Sequence, residues 1–266
     1  LIGGEKREAW NGKMREYRGL WRYEGDRPDH WTREPQVWLH GFFFFDWFDQ
    51  RIKVKSIDPD EKTIDIGRIS PGIKQGQWYY AFNVLAELDR PGEWYLNHET
   101  GMLYFWPPGP LQEGRPAVPI AGDLLRIQDA SHLALRGLRL QDARGTALQV
   151  RGGTDIRVAG CTIRNAGAWG VRIIDTRNSE VVGCDVYNLG NGGLYFQSGD
   201  RRTLSPGNLR ADNNNLHHYG LWNPVYKAGI QLNGVGNRAT HNLVHHAPHF
   251  AINLRGNNHL IEFNEI

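Results

Sequence analysis

A chain of 266 residues with a net charge of +2 and 23% charged residues carries no polybasic block, which argues against a nucleic-acid partner. Its apolar runs, such as the four Phe at 42–45, are far too short for a helical membrane span. Length alone allows one large domain or two.

Residues 1–118 hold eight of the ten Trp, all before Pro107, and show no internal repeat, so they read as a separate aromatic-rich, mostly-β domain. Leu1 is not an initiator Met, which suits a trimmed or mature N-terminus. Residues 51–57 and 63–66 alternate around Asp58-Pro59-Asp60-Glu61-Lys62, a hairpin signature. Residues 93–96 and 102–106 do the same around Asn97-His98-Glu99-Thr100-Gly101. Residues 80–88 read as one short helix, ended by Asp89-Arg90-Pro91-Gly92. The stretch from Pro107-Pro108-Gly109-Pro110 to Pro119 is the expected linker.

Residues 119–266 repeat themselves. Leu125/Ile127, Leu148/Val150, Val171/Ile173 and Leu194/Phe196 recur every 23 residues, and the register returns at Ile230/Leu232 and Ile252/Leu254. Short alternating strands broken by Gly, Asn and Asp make each repeat a β-coil. Coils of this length stack into a parallel β-helix with a dry interior, so the fold class is all-β. Leu138, Cys161, Cys184, Asn214, Asn242 and Asn264 share one position in six consecutive coils. The three Asn predict a ladder in which each amide satisfies buried turn backbone. Adjacent coils place the two cysteines about 4.8 Å apart, a separation that fits either a disulfide or stacked buried thiols. Cysteine therefore does not settle the compartment.

Alternation fixes which residues leave the core. On the first sheet these are Arg126, Gln128, Gln149, Arg151, Arg172, Tyr195, Gln197, Gln231, Asn233, Asn253 and Arg255. The coil spacing of about 4.8 Å is close to a sugar repeat, so this lane suits an extended oligo- or polysaccharide. Arg151, Arg172 and Arg255 are candidates for neutralising a uronate carboxylate, as a lyase would require. The coil from Leu194 to Ile230 is 13 residues longer than its neighbours, with the excess in 199–207 and 219–227. Long turns on a rigid scaffold tend to carry function. The expected cleft joins Tyr195, Gln197, Asp200, Arg201, Gln231, Asn233, His249 and Asn253. Asp200 is its only carboxylate and His249 its titratable imidazole, so these two are the catalytic candidates. Trp222 suits either a sugar face or packing within its own turn.

His217/His218 and His245/His246 match in successive coils. Neighbours on a strand point to opposite sides, so only one of each pair is expected to converge. A stacked surface ladder is expected, and neither a metal nor a cofactor. The lane to Arg255 lacks Asp and Glu, whereas glycoside hydrolysis needs two flanking carboxyl groups. Three readings stay open: a glycoside hydrolase on a plant or algal polysaccharide, a polysaccharide lyase or epimerase, and a non-catalytic sugar-binding solenoid. Ile266 aligns with Val244 and Val186, partway round a coil. A continuation of the chain, or a second chain, is expected to cover Ile252, Leu254, Ile261 and Ile266.

Four runs carry a family resemblance: WLHGFFFFDWFD at 38–49, GEWYLNHETGMLYFWP at 92–107, GDRRTLSPGN at 199–208 and GNNHLIEFNEI at 256–266. Together they resemble bacterial right-handed parallel β-helix proteins related to the fucosidase and xylanase families of glycoside hydrolases. The resemblance spans almost the whole chain. It implies a right-handed single-stranded solenoid, a carbohydrate-active enzyme and export, hence a secreted or periplasmic protein. It also implies acidic catalytic residues after the strand matching 256–266, and further coils before the aromatic domain.

Overall fold

The 23-residue echo becomes a coil of three short strands, and the coils stack in register. In this computed structural model residues 16–113 and 116–266 are described. Leu1, with the expected trimmed N-terminus, lies outside them, as do Gly114 and Arg115 of the expected linker. The chain divides into two compact units, Leu1–Pro116 and Ala117–Ile266.

The second unit is a parallel β-helix. Its first sheet stacks Leu125–Gln128, Leu148–Arg151, Val171–Ile174, Leu194–Ser198, Ile230–Val235 and Ile252–Asn257. The second sheet runs from Ser131–Arg136 through Thr154–Ala159, Glu180–Val182, Arg210–Asp212 and Arg238–Thr240 to Leu260–Glu262. The third contains Arg139–Ala143, Thr162–Ala166, Asp185–Leu189, Asn215–His217 and Leu243–His245. Parallel pairing puts Val150, Ile173 and Phe196 one above another, all fully buried. Arg151, Arg172 and Tyr195 leave the opposite face, as alternation predicts. A slip of one residue would exchange the two sets.

The polar ladder forms at the bend between the second and third sheets. Cys161 N–H donates to Cys184 Sγ (3.4 Å), Cys184 N–H to Asn214 Oδ1 (3.0 Å), and Asn214 N–H to Asn242 Oδ1 (3.1 Å). Asn242 N–H in turn donates to Asn264 Oδ1 at 3.0 Å. Both cysteines are free thiols, and burial pushes Cys184 up to about 11. A second column follows the third sheet. Asp142, Asn165, Asn188, His218 and His246 all adopt left-handed φ between 50° and 64°, the region that Asn and Asp tolerate best.

That column corrects the expectation about the histidines. Because His218 and His246 are left-handed rather than extended, neighbours do not point apart. His217 Nδ1 lies 2.7 Å from His218 Nδ1, and His245 meets His246 through the same atoms. Rings also stack between coils, at 5.0 Å for His217 on His245 and 4.9 Å for His218 on His246. The expected surface ladder is present, doubled.

The first unit is built from antiparallel pairs. Tyr17–Arg22, Thr63–Ile69 and Ser56–Asp58 form one sheet. Asp58 Oδ1 closes its hairpin by accepting from the Asp60 and Glu61 amides, each at 3.0 Å. Residues 51–53 do not continue into that hairpin. They belong to Gln50–Lys53, which pairs with Trp38–Gly41, itself paired with Tyr79–Phe82. The second expected hairpin is Trp94–Leu96 with Leu103–Phe105. The single helix expected over 80–88 is a strand followed by one 3-10 turn, Leu85–Glu87. Asn83 breaks it: at φ 54° its side chain donates to Leu96 O and accepts from Leu96 N–H, at 3.1 and 3.0 Å. Trp21, Trp31, Leu39, Phe43, Ile64 and Ile66 form the aromatic core.

In the last coil Leu254, Leu260, Ile261, Phe263 and Ile266 are exposed, Ile266 at 77%, and Ile252 is half-buried.

Candidate functional site

The outer face of the first sheet is two parallel columns. One runs Arg126, Gln149, Arg172, Tyr195, Gln231, Asn253; the other runs Gln128, Arg151, Ile174, Gln197, Asn233, Arg255. Ile174 interrupts the polar lane at 9% exposure.

Hydrogen bonds along and across the columns fix the amides before any ligand arrives. Tyr195 Oη donates to Gln197 Oε1, Gln231 Nε2 to Asn233 Oδ1, and Asn253 Nδ2 to Gln231 Oε1, all at 2.9 Å. These bonds leave Gln197 Nε2, Asn233 Nδ2 and Asn253 Oδ1 as two donors and an acceptor for hydroxyl groups. Gln231 is the most buried of the lane's amides at 7% exposure, and both halves of its side chain are bonded within the lane. Arg172 lies with its guanidinium carbon 5.0 Å from the Tyr195 ring centre, a cation–π contact. Its Nε is buried without a hydrogen-bond partner.

The long turns deepen the lane into a cleft of about 550 Å³. Of the residues expected there, Tyr195, Gln197, Arg201, Gln231, Asn233 and Asn253 line it, and Asp200 and His249 do not; Arg172, expected in the lane, does not line it either. Asp200 lies between the lining residues Gly199 and Arg201, but its Oδ1 accepts from Arg202 N–H at 2.8 Å, so the carboxylate caps its own turn. His249 is exposed, its ring packed on Phe250 (4.0 Å) and edge-on to Tyr226 (5.4 Å). It flanks the cleft through Tyr226, which does line it. Arg151 lines a separate hollow of about 430 Å³ with Arg126, Gln128 and Gln149. There Asp175 approaches Arg151 at 3.9 Å. Trp222 is half exposed and does not line the cleft.

Trp169, Tyr226, Lys227 and Arg255 complete the wall. Trp169 was not expected. It stands in the turn before Val171–Ile174, edge-on to Tyr195 at 5.2 Å. The next coil makes room for it: a Cβ on Gly192 would sit 2.3 Å from the indole and 2.2 Å from Ala228 O. The available signal was register, since Trp169 occupies the position of Thr146 in one neighbouring coil and Gly192 in the other. Among the described residues no cluster of His, Cys, Asp or Glu is arranged to hold a metal ion. The histidine pairs bond to each other, and burial, opposed by Asp185 at 3.4 Å, holds the His217 imidazole below its usual value.

Fold and cleft together define a solenoid protein with a preorganised polar lane on one parallel sheet. The chain belongs to the right-handed β-helix family, whose model, described as "Right handed beta helix region", matches residues 120–266. No curated protein sequence matches it significantly. Among solved structures it is similar to one named "Glycoside hydrolase", with a TM-score of 0.69 and 14% identity, over 94% of this chain and 63% of that one. At that identity the likeness speaks for the fold, and this chain spans 63% of the length of that neighbour.

Proposed function

We propose that this is a carbohydrate-active protein, a glycoside hydrolase acting on a plant or algal polysaccharide, with the lane as its glycan cleft. The observation that carries the reading is the bonded set Tyr195, Gln197, Gln231, Asn233 and Asn253, open along one side and walled by Trp169. Fixed amides next to aromatic edges suit a sugar, which presents hydroxyl groups around its ring and C–H groups on its faces. The glycoside hydrolase neighbour supports the same class. Asp200 and His249 are the proposed acid–base groups, Asp200 reaching the cleft by rotating out of the turn it caps. Hydrolysis needs a second carboxyl group, and none of the lining residues supplies one. A polymeric substrate implies work outside the cytoplasm, and we place the protein in a secreted or periplasmic setting, to be checked by cell fractionation.

Titration calorimetry with a panel of oligosaccharides tests the cleft. A binder should emerge, and Trp169→Ala and Gln231→Ala should each weaken it about tenfold, near 1.4 kcal/mol. Absence of any binder, or full binding by both folded variants, removes the lane as the glycan site. With turnover of a polysaccharide in hand, Asp200→Asn and His249→Ala should each lower it at least about tenfold. Unchanged turnover in both places the chemistry elsewhere on the solenoid.

A further inference from the structure

The wall of the cleft has a sign. Three of its lining residues are cations, Arg201, Lys227 and Arg255, and none is an anion. They arrive from three places: Arg201 from the turn after Leu194–Ser198, Lys227 from the turn before Ile230–Val235, and Arg255 from the coil after that. Among the described residues none of the three side chains is held in an ion pair. Elsewhere on the same sheet the pattern differs. Arg126 is bonded to Asp123 at 2.9 Å, and Arg151 faces Asp175 at 3.9 Å. Beside the cleft, Arg172 has only the Tyr195 ring beneath its guanidinium and a buried, unbonded Nε.

This asymmetry requires a physical reason. Cations gathered on a concave site without counter-charge make its potential positive, which an anionic ligand uses and a neutral sugar does not. In this structure Asp200, the carboxylate next to Arg201, is turned into its own loop. Arginine forks match planar anionic groups in two-point contact, while a lysine supplies a mobile point charge.

We infer that the cleft takes an anionic glycan, one whose sugar units carry a carboxylate or a sulfate seated among Arg201, Lys227 and Arg255, with the bonded amides holding hydroxyl groups. The inference rests on the lane being a glycan cleft and names the substrate class of that site. Because the cations straddle consecutive coils, spaced about 4.8 Å apart, charges on successive sugars of a chain are recognised better than a single acidic sugar.

The test uses the protein as it stands and three oligosaccharide sets of matched length: a polyuronate, a sulfated galactan and neutral xylan. Calorimetry at about 0.05 M salt should show at least one acidic set binding about tenfold or more tighter than the neutral one. Raising salt to about 0.5 M should erase most of that margin. Which acidic set binds tells carboxylate from sulfate. Arg201→Gln, Lys227→Gln and Arg255→Gln together should bring the acidic ligand down to the neutral ligand's level, with melting temperature confirming the fold. Equal or better binding of neutral xylan that Trp169→Ala abolishes would overturn the anionic inference and leave the glycan cleft standing. Binding of none of the three would sink both. An acidic preference that survives the triple variant places the charge recognition on other residues and overturns the inference as well.

Discussion

The two units of this chain solve the same problem, a dry core from β-strands, by opposite means. In Ala117–Ile266 each strand pairs with its counterpart one coil away, so Ile173 meets Val150 on one side and Phe196 on the other. In the first unit the pairs are antiparallel and their sequence separations are uneven, from Asp58 facing Thr63 across a hairpin to Tyr17 facing Ile69. A stack of near-identical layers spreads stability over neighbouring contacts. A small aromatic core concentrates it, with Trp21 touching both Phe43 and Tyr79. The lesson is that damage should travel differently in the two units.

Matched core truncations break or sharpen that contrast most directly. Phe196→Ala and Trp21→Ala each remove a fully or nearly fully buried ring, and each should destabilise by about 3–5 kcal/mol. Hydrogen exchange should then diverge. In Phe196→Ala the loosened amides should be those of its own and adjacent coils, whereas in Trp21→Ala they should spread through all the strands of the aromatic core. Loosening of the entire solenoid by Phe196→Ala would show that its layers unfold as one unit, against the nearest-neighbour account.

The next effect lies in the ladder. Asn242 is buried, and its Nδ2 donates to Ala211 O, Thr240 O and Asn264 Oδ1 while its Oδ1 accepts from Asn214. Asn242→Ala leaves the buried Asn214 N–H without its acceptor and removes all three donations from Nδ2, and should destabilise by about 2–4 kcal/mol in a urea melt. Asn83→Ala, its counterpart in the first unit, removes two bonds to one partly buried backbone and should have about half that effect or less. Equal losses would mean that the ladder adds nothing beyond its individual bonds.

How much of this was legible in the sequence follows from the same contrast. The β-helix register could be read because one apolar pair, such as Leu148/Val150, fixes every later one at a constant interval. The ladder could be read from Asn214, Asn242 and Asn264 for the same reason. Trp169 could not be read from its own segment, because its place depends on Gly192 in the next coil being small enough to pass beneath it, and only the register pointed there. Nor could the pairing of His217 with His218, which depends on a left-handed bend that sequence alternation ignores. In the first unit local pattern misled over 80–88, since Tyr79–Phe82 is held extended by a partner some forty residues earlier. At the candidate site the lane amides were legible as outward residues. The capped pose of Asp200 was not, because a turn aspartate chooses between ligand and loop through backbone geometry.

The smallest expected effect is that of acid, and it has the same sign in both units. His40 is buried between Tyr80 Oη (2.7 Å) and Asp49 Oδ2 (2.8 Å), and burial holds it below its usual value despite the Asp49 bond. His217 is lowered too, first by burial and then by His245 and His218, with Asp185 opposing. In each case the unfolded chain takes up a proton near pH 6.5 that the folded chain refuses. Stability is therefore full above about pH 6.5 and falls as pH drops from there through the lower folded value. Urea melts between about pH 7.5 and 5 should show this decline. His217→Phe keeps a ring against Tyr187 and His245, which stack on it at 4.7 and 5.0 Å, but cannot titrate. It should make the decline shallower without a loss at pH 7.5. The choice of His217 matters because its coil contacts are periodic: the neighbours that lower it are themselves the ladder. A decline that stays equally steep in His217→Phe would assign the acid sensitivity to the aromatic unit, where His40 has only its own buried network to answer to.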